Sequence, residues 1–242
     1  MDFTLSPKHN SKKDVKQWIQ YAKCMINGYS IRKCAEEVKI SIPTSLYWRH
    51  KILDAIRAFM GIGSVGGVIE VDEAFFRESF KGDHKKSTTF TMPRKAHKRG
   101  VKGSYSSKDE KKKRGISKEQ VCVLCAIDRT GNLITELICK GRMKHTDLER
   151  LFTGRIEDEA ILCTDSHKSY INSFHIKLKK WMDRFNGVAT KYLANYMYWF
   201  KWLEIFNTEK DTIKSKNLLV QSHTSHIDTK LKDFRIREAI YI

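Results

Sequence analysis

No apolar run in this 242-residue chain approaches the ~18 residues that cross a bilayer. A membrane-spanning protein is therefore not expected. The first residues, Met1-Asp2-Phe3-Thr4-Leu5-Ser6-Pro7, lack the basic-then-apolar pattern of a secretory signal, so the expectation is a cytoplasmic protein. Acidic residues are few, 28 Asp and Glu against 46 Lys and Arg, which leaves a net charge of +18. That imbalance points to a polyanionic partner, nucleic acid before an acidic membrane surface. Cysteine is also sparse. Cys24, Cys34, Cys122, Cys125, Cys139 and Cys163 lie mostly within apolar segments, as reduced buried thiols do. Cys122 and Cys125 have C-x₂-C spacing, but the second pair that zinc needs is missing. What the chain does have is 40% hydrophobic and 11% aromatic content, ample for a packed core and against wholesale disorder.

The first quarter reads as three helices. Val15, Trp18, Ile19, Ala22 and Met25 recur at helical spacing over about Lys13 to Ile26, and Asn27-Gly28 ends the run. Ser30 can cap a second helix, Ile31 to Val38. After the short turn Lys39-Ile40-Ser41, Ser41 can cap a third helix toward Ile56, with Pro43 tolerated in its first turn. A short second helix, a tight turn and a polar third helix form a candidate helix-turn-helix. Its DNA-reading residues would be Thr44, Ser45, Tyr47, Arg49, His50 and Lys51. The Gly-rich stretch Gly61 to Gly67 then marks an expected boundary, with residues 1–61 as a DNA-binding domain.

Strand patterns follow at Gly67 to Phe75, Gln120 to Asp128 and Leu133 to Lys140. Asp128-Arg-Thr-Gly-Asn132 is turn chemistry, so the last two should form a hairpin. A helix, His145 to Arg155, and a fourth strand, Ala160 to Asp165, complete an α/β arrangement. Residues 81–118 hold 14 Lys and Arg against 3 Asp and Glu, an excess of 11 that concentrates the positive field in one insertion. Its candidate phosphate contacts are Arg94, Lys95, Lys98, Arg99, Lys111, Lys112, Lys113 and Arg114. Residues 171–206 read as an aromatic-rich helical stretch broken near Asn186-Gly187, and its apolar stripe belongs to the core. The tail, 207–242, shows only weak periodicity.

Two strand-like runs end on aspartate, Val68-Ile-Glu-Val-Asp72 and Ala160-Ile-Leu-Cys-Thr-Asp165. Carboxylates at the ends of neighbouring strands can share Mg²⁺ and support phosphodiester chemistry. Strand alternation puts Glu70 on the face of Asp72 and Glu73 on the other. Asp128 also ends a strand, but its turn explains it.

These blocks, with Thr164-Asp165-Ser-His-Lys-Ser-Tyr170, Asn172-Ser-Phe-His175 and Arg184-Phe-Asn-Gly-Val-Ala-Thr-Lys-Tyr-Leu193, resemble bacterial insertion-sequence transposases of the ISXO-like group over roughly residues 15–206. The resemblance implies an RNase H-like mixed sheet with flanking helices over 62–206, behind the small all-α helix-turn-helix domain. It implies DNA strand cleavage and transfer at element ends with Mg²⁺ or Mn²⁺, by a homo-oligomer that binds terminal repeats and target DNA. The acidic triad would be Asp72, Asp165 and Asn172, and Lys179, seven residues on along the helix, would contact DNA. Two features depart from the group. The cysteine-rich zinc ribbon at the N-terminus is missing, and six residues separate Asp165 from Asn172 where a helix, a strand and a basic stretch would stand. The second reads as an internal deletion that exposes the Asp165 strand as a sheet edge. The alternative to an active enzyme is a DNA-binding remnant without catalysis.

Overall fold

A computed structural model describes residues 7, 8, 11–82, 90, 91, 93, 115–164 and 169–242. Its chain runs α1 (Val15–Ile26), α2 (Ile31–Val38), α3 (Ile42–Met60), β1 (Val68–Arg77), β2 (Gln120–Asp128), β3 (Leu133–Lys140) and α4 (His145–Phe152). Then come β4 (Ile161–Cys163), α5 (Ser169–Asp183), α6 (Thr190–Ile205), α7 (Asp211–Thr224) and α8 (Leu231–Ile236).

Local chemistry sets the helix starts. The Ser30 hydroxyl accepts from the Lys33 amide at 3.3 Å and the Ser41 hydroxyl from the Thr44 amide at 3.2 Å, each satisfying a donor the first turn leaves open. Lys39, in the left-handed region at φ 55°, ends α2 and turns the chain into α3. The predicted break of the long aromatic stretch falls where Asn186 and Gly187 take φ of 50° and 90°.

The four strands form one sheet in the order β3-β2-β1-β4. β1 pairs antiparallel with β2, β2 antiparallel with β3, and β4 runs parallel to β1. The β2–β3 turn is held by Asp128. Its carboxylate accepts from the Thr130 hydroxyl at 2.7 Å, from the Thr130 and Asn132 amides at 2.9 Å, and from Asn132 Nδ2 at 2.8 Å. β4 has three residues and lies at the edge of the described sheet, with Ile161 61% and Leu162 50% exposed.

Alternation along β1 divides two cores. Ile69 and Val71 join Leu124, Ile134 and Ile138 beneath Leu151 of α4. Ala74, on the face of Glu70 and Asp72, joins Val123 and Cys125 in a larger cluster with Phe174, Leu178 and Trp199 of α5 and α6. That same cluster takes in Trp18, Trp48 and Ile56 of the first three helices. The glycine-rich joint changes the type of element, but the helices before it share a core with the sheet behind it. The weakly periodic tail belongs to this fold as well. α7 packs on α1 and α3, Phe234 of α8 is buried, and Asp54 of α3 accepts from Thr229 at 2.6 Å and Arg237 at 2.5 Å.

This covering overturns part of the expected DNA-reading face. Arg49 and His50 are 0% and 1% exposed, and Ser45 is fully buried. Ser45 donates to the Ile31 carbonyl at 2.8 Å, and the Lys51 ammonium binds Asp228 at 2.5 Å. Tyr47 packs on Phe234 at 5.1 Å between ring centres, and Thr44 bonds Ser41 through its hydroxyl at 2.8 Å. Ser45 is enclosed by α1 and α2 through Tyr21 and Ile31, and α6 covers Arg49 and His50 through Tyr196, Tyr192 and Asn195, so these three side chains serve packing and are not presented on the surface.

Candidate functional site

Asp72 sits in the middle of β1, opposite Cys125 of β2, on the face toward α5. Its Oδ1 accepts the Glu73 amide at 2.9 Å, and its Oδ2 lies 3.8 Å from Nδ1 of His175. The Asp72 side chain keeps 28% of its exposure, whereas that of His175 keeps 9%. Glu70, two residues earlier on the same face, is buried and committed. It faces the Arg129 guanidinium at 2.9 Å and accepts the backbone N–H of Ile171 at 3.0 Å, pinning the first turn of α5 to β1. Arg129 in turn lies 4.5 Å over the Tyr170 ring.

α5 packs across β1 and β2. Asn172, His175 and Lys179 are spaced three and four residues apart, so they occupy one face of that helix. Phe174 and Leu178 are buried beside them, and Asn172 and Lys179 are exposed. Cys125 registers the electrostatics between the layers. Burial raises its pKa, the Asp72 charge raises it further, and Lys179 opposes both. Asp72 and Lys179 thus act on the same patch of the sheet. Glu73 points away, and its carboxyl is also raised, first by burial and then by the Asp72 charge, against Arg142.

Among the expected site residues, Asp72 lies on the β1 face toward α5, and Asn172 and Lys179 are exposed on α5, three residues before and four after His175. Asp165 lies outside the described residues, as do Arg94, Lys95, Lys98, Arg99, Lys111, Lys112, Lys113 and Arg114. Among the described residues, no group of three or more His, Cys, Asp and Glu side chains is placed to hold a metal ion. The sequence pattern assigned no role to His175, whose Nδ1 lies 3.8 Å from the second Asp72 oxygen. Its signal was its position three residues after Asn172 and four before Lys179. All six cysteines are free thiols, and no described helix is long and apolar enough to cross a membrane. Comparison with protein-family models, with curated proteins and with solved structures gives no match for this chain.

Proposed function

We propose that this chain is a DNA transposase of insertion-sequence descent, with an RNase H-like domain that cuts and transfers DNA strands at element ends. The observation that carries the reading is Asp72 on the central strand of a β3-β2-β1-β4 sheet, faced by an α5 that presents Asn172, His175 and Lys179. Three antiparallel strands, a fourth parallel to the first and a helix on each face support the fold assignment. The parallel register pairs Glu70, two residues before Asp72, with Cys163 of β4. The net charge of +18 supports a DNA partner.

The donors are right in kind for Mg²⁺ or Mn²⁺. Asp72, Asp165 and the Asn172 amide offer hard oxygen ligands, and Glu70 is excluded because Arg129 and the Ile171 amide engage it. When bound, the metal supplies activation of the attacking hydroxyl and stabilisation of the leaving oxygen. His175 steadies the Asp72 carboxylate from α5, and Lys179 holds a backbone phosphate on the same helix face. The resulting assembly on DNA is a homo-oligomer bound to terminal repeats.

One feature favours a second reading, a DNA-binding remnant without catalysis. β4 is three residues long and its apolar Ile161 and Leu162 are exposed, as an internal deletion would leave them. A single experiment separates the two. Purified protein and its Asp72→Ala variant are incubated with Mg²⁺ and DNA carrying the element's terminal repeats. Cleavage by the parent that the variant loses is the expected result. Equal binding with no cleavage by either protein sinks the catalytic reading and leaves the remnant.

A further inference from the structure

Between the starts of α2 and α3 and the α5–α6 turn lies a cavity of about 600 Å³, within the roughly 300–1,000 Å³ of small-molecule sites. Five of its lining residues are cations, Arg32, Arg49, Lys81, Arg184 and Lys191, and none is Asp or Glu. Three helices of 8, 19 and 16 residues begin on its wall. Ser30 and Ile31 start α2, Ile42 and Pro43 start α3, and Ala189 precedes α6 without a side-chain cap. Helix starts turn backbone N–H groups and positive dipole ends toward whatever occupies the space, which suits an anion. The opposing end, the carbonyl-rich finish of α5, is neutralised. The Lys81 ammonium donates to the carbonyls of Phe185 and Gly187 at 2.9 Å and of Asn186 at 3.1 Å.

The positive field is felt inside the wall. His50 is held well below 6.5, first by burial and then by Arg237, Arg49 and Lys191. Arg49, fully buried, leaves its Nε without a hydrogen-bond partner. The rest of the lining is flat or apolar. Half-buried Tyr47 offers a ring surface beside the buried rings of Tyr192 and Phe185, and Ile42, 50% exposed, stands with Pro43 and Leu46 as an apolar surface. An inorganic anion has no use for such walls. An aromatic ring joined to a phosphate uses both halves.

We infer that this cavity receives one unpaired nucleotide of a DNA strand, the base against the tyrosine and isoleucine wall and the phosphate at the converging helix starts beside Arg32 and Arg184. The inference rests on the DNA reading of the chain and deepens it. α3 does not lay its buried Arg49 and His50 into a groove, and instead these residues build the floor of a pocket for a nucleotide pulled out of one.

The test uses the full chain and three fluorescein-labelled duplexes of the same sequence, followed by anisotropy. One is fully paired, one has a single unpaired nucleotide, and one has an abasic residue at that unpaired position. The unpaired nucleotide should bind about tenfold more tightly than either control, a factor readable as a Kd ratio. The Arg32→Glu/Arg184→Glu variant alters two exposed side chains, so its fold can be checked by circular dichroism, and it should lose that preference. Equal affinity for all three duplexes overturns the nucleotide pocket while the DNA reading stands. So does a preference that the double variant retains. Failure to bind any duplex removes the DNA reading and the pocket with it.

Discussion

The floor of the nucleotide pocket and the β1–α5 surface treat polar side chains in opposite ways. Around Arg49 the charge is sealed in. Its Nη2 donates to the Tyr29 carbonyl at 2.6 Å and to Cys34 at 3.1 Å, its Nη1 reaches the Tyr196 hydroxyl at 3.4 Å, and the guanidinium lies 4.9 Å from the Trp199 ring centre. The Cys34 thiol, hydrogen-bonded by the Cys24 thiol and lying beside that cation, has its pKa lowered. Around Asp72 the carboxylate stays partly wet, and its neighbours Asn172 and Lys179 are exposed. A charged residue held by buried partners serves stability and shapes the cavity it borders. One left at a seam between layers can meet a substrate.

Three substitutions sharpen this contrast. The largest change is expected at Arg49→Ala, which removes a fully buried side chain and strands the Tyr29 carbonyl. Loss of about 3–5 kcal/mol of folding stability should follow in urea denaturation. Arg49→Met, which refills the space, should lose clearly less. Equal losses would mean that volume plays no part at this position.

A smaller effect concerns acid. His50 stacks on Tyr192 at 3.8 Å between ring centres, and burial followed by the cations Arg237, Arg49 and Lys191 holds its pKa well below 6.5. As pH falls, the unfolded chain therefore takes up the proton first. The contribution of His50 is complete above about 6.5 and declines as pH drops below it toward the folded value. Melting temperatures between pH 7.5 and 5.5 should fall more steeply for the parent than for His50→Gln. Parallel curves would show that His50 is not enclosed as described.

The smallest effect is expected on the other side of the comparison. Asp72→Ala, the variant that should abolish cleavage, should change stability by about 1 kcal/mol or less, because its carboxylate is half-exposed and the fold is held by other contacts. A loss as large as that at Arg49 would make Asp72 a structural residue and remove it from the site.

Much of the architecture was legible from periodicity and caps. Ser30 and Ser41 start their helices, Asp128 to Asn132 turns the hairpin, and the break at Asn186-Gly187 divides α5 from α6 as the pattern implied. β1 runs on past Asp72 to Arg77, so Asp72, read as the end of its strand, lies mid-strand, and Glu73 faces away from Glu70 and Asp72. The tail gave no such signal. α7 and α8 are held by Leu218, Phe234 and the Asp54 contacts with Thr229 and Arg237, partners distant in sequence.

Within the candidate site, Asp72 could be read from its strand and Asn172 with Lys179 from their helix spacing. The commitment of Glu70 to Arg129 and to the start of α5 could not, because it joins residues 59 and 101 positions away. Local sequence determines which segments are helix or strand and which side chains share a face, since backbone geometry repeats over a few residues. Which of those faces remains in contact with water is decided only when layers close on one another. α6 closes over α3 and takes Arg49 and His50 into the core, and the seam between β1 and α5 leaves Asp72 partly exposed.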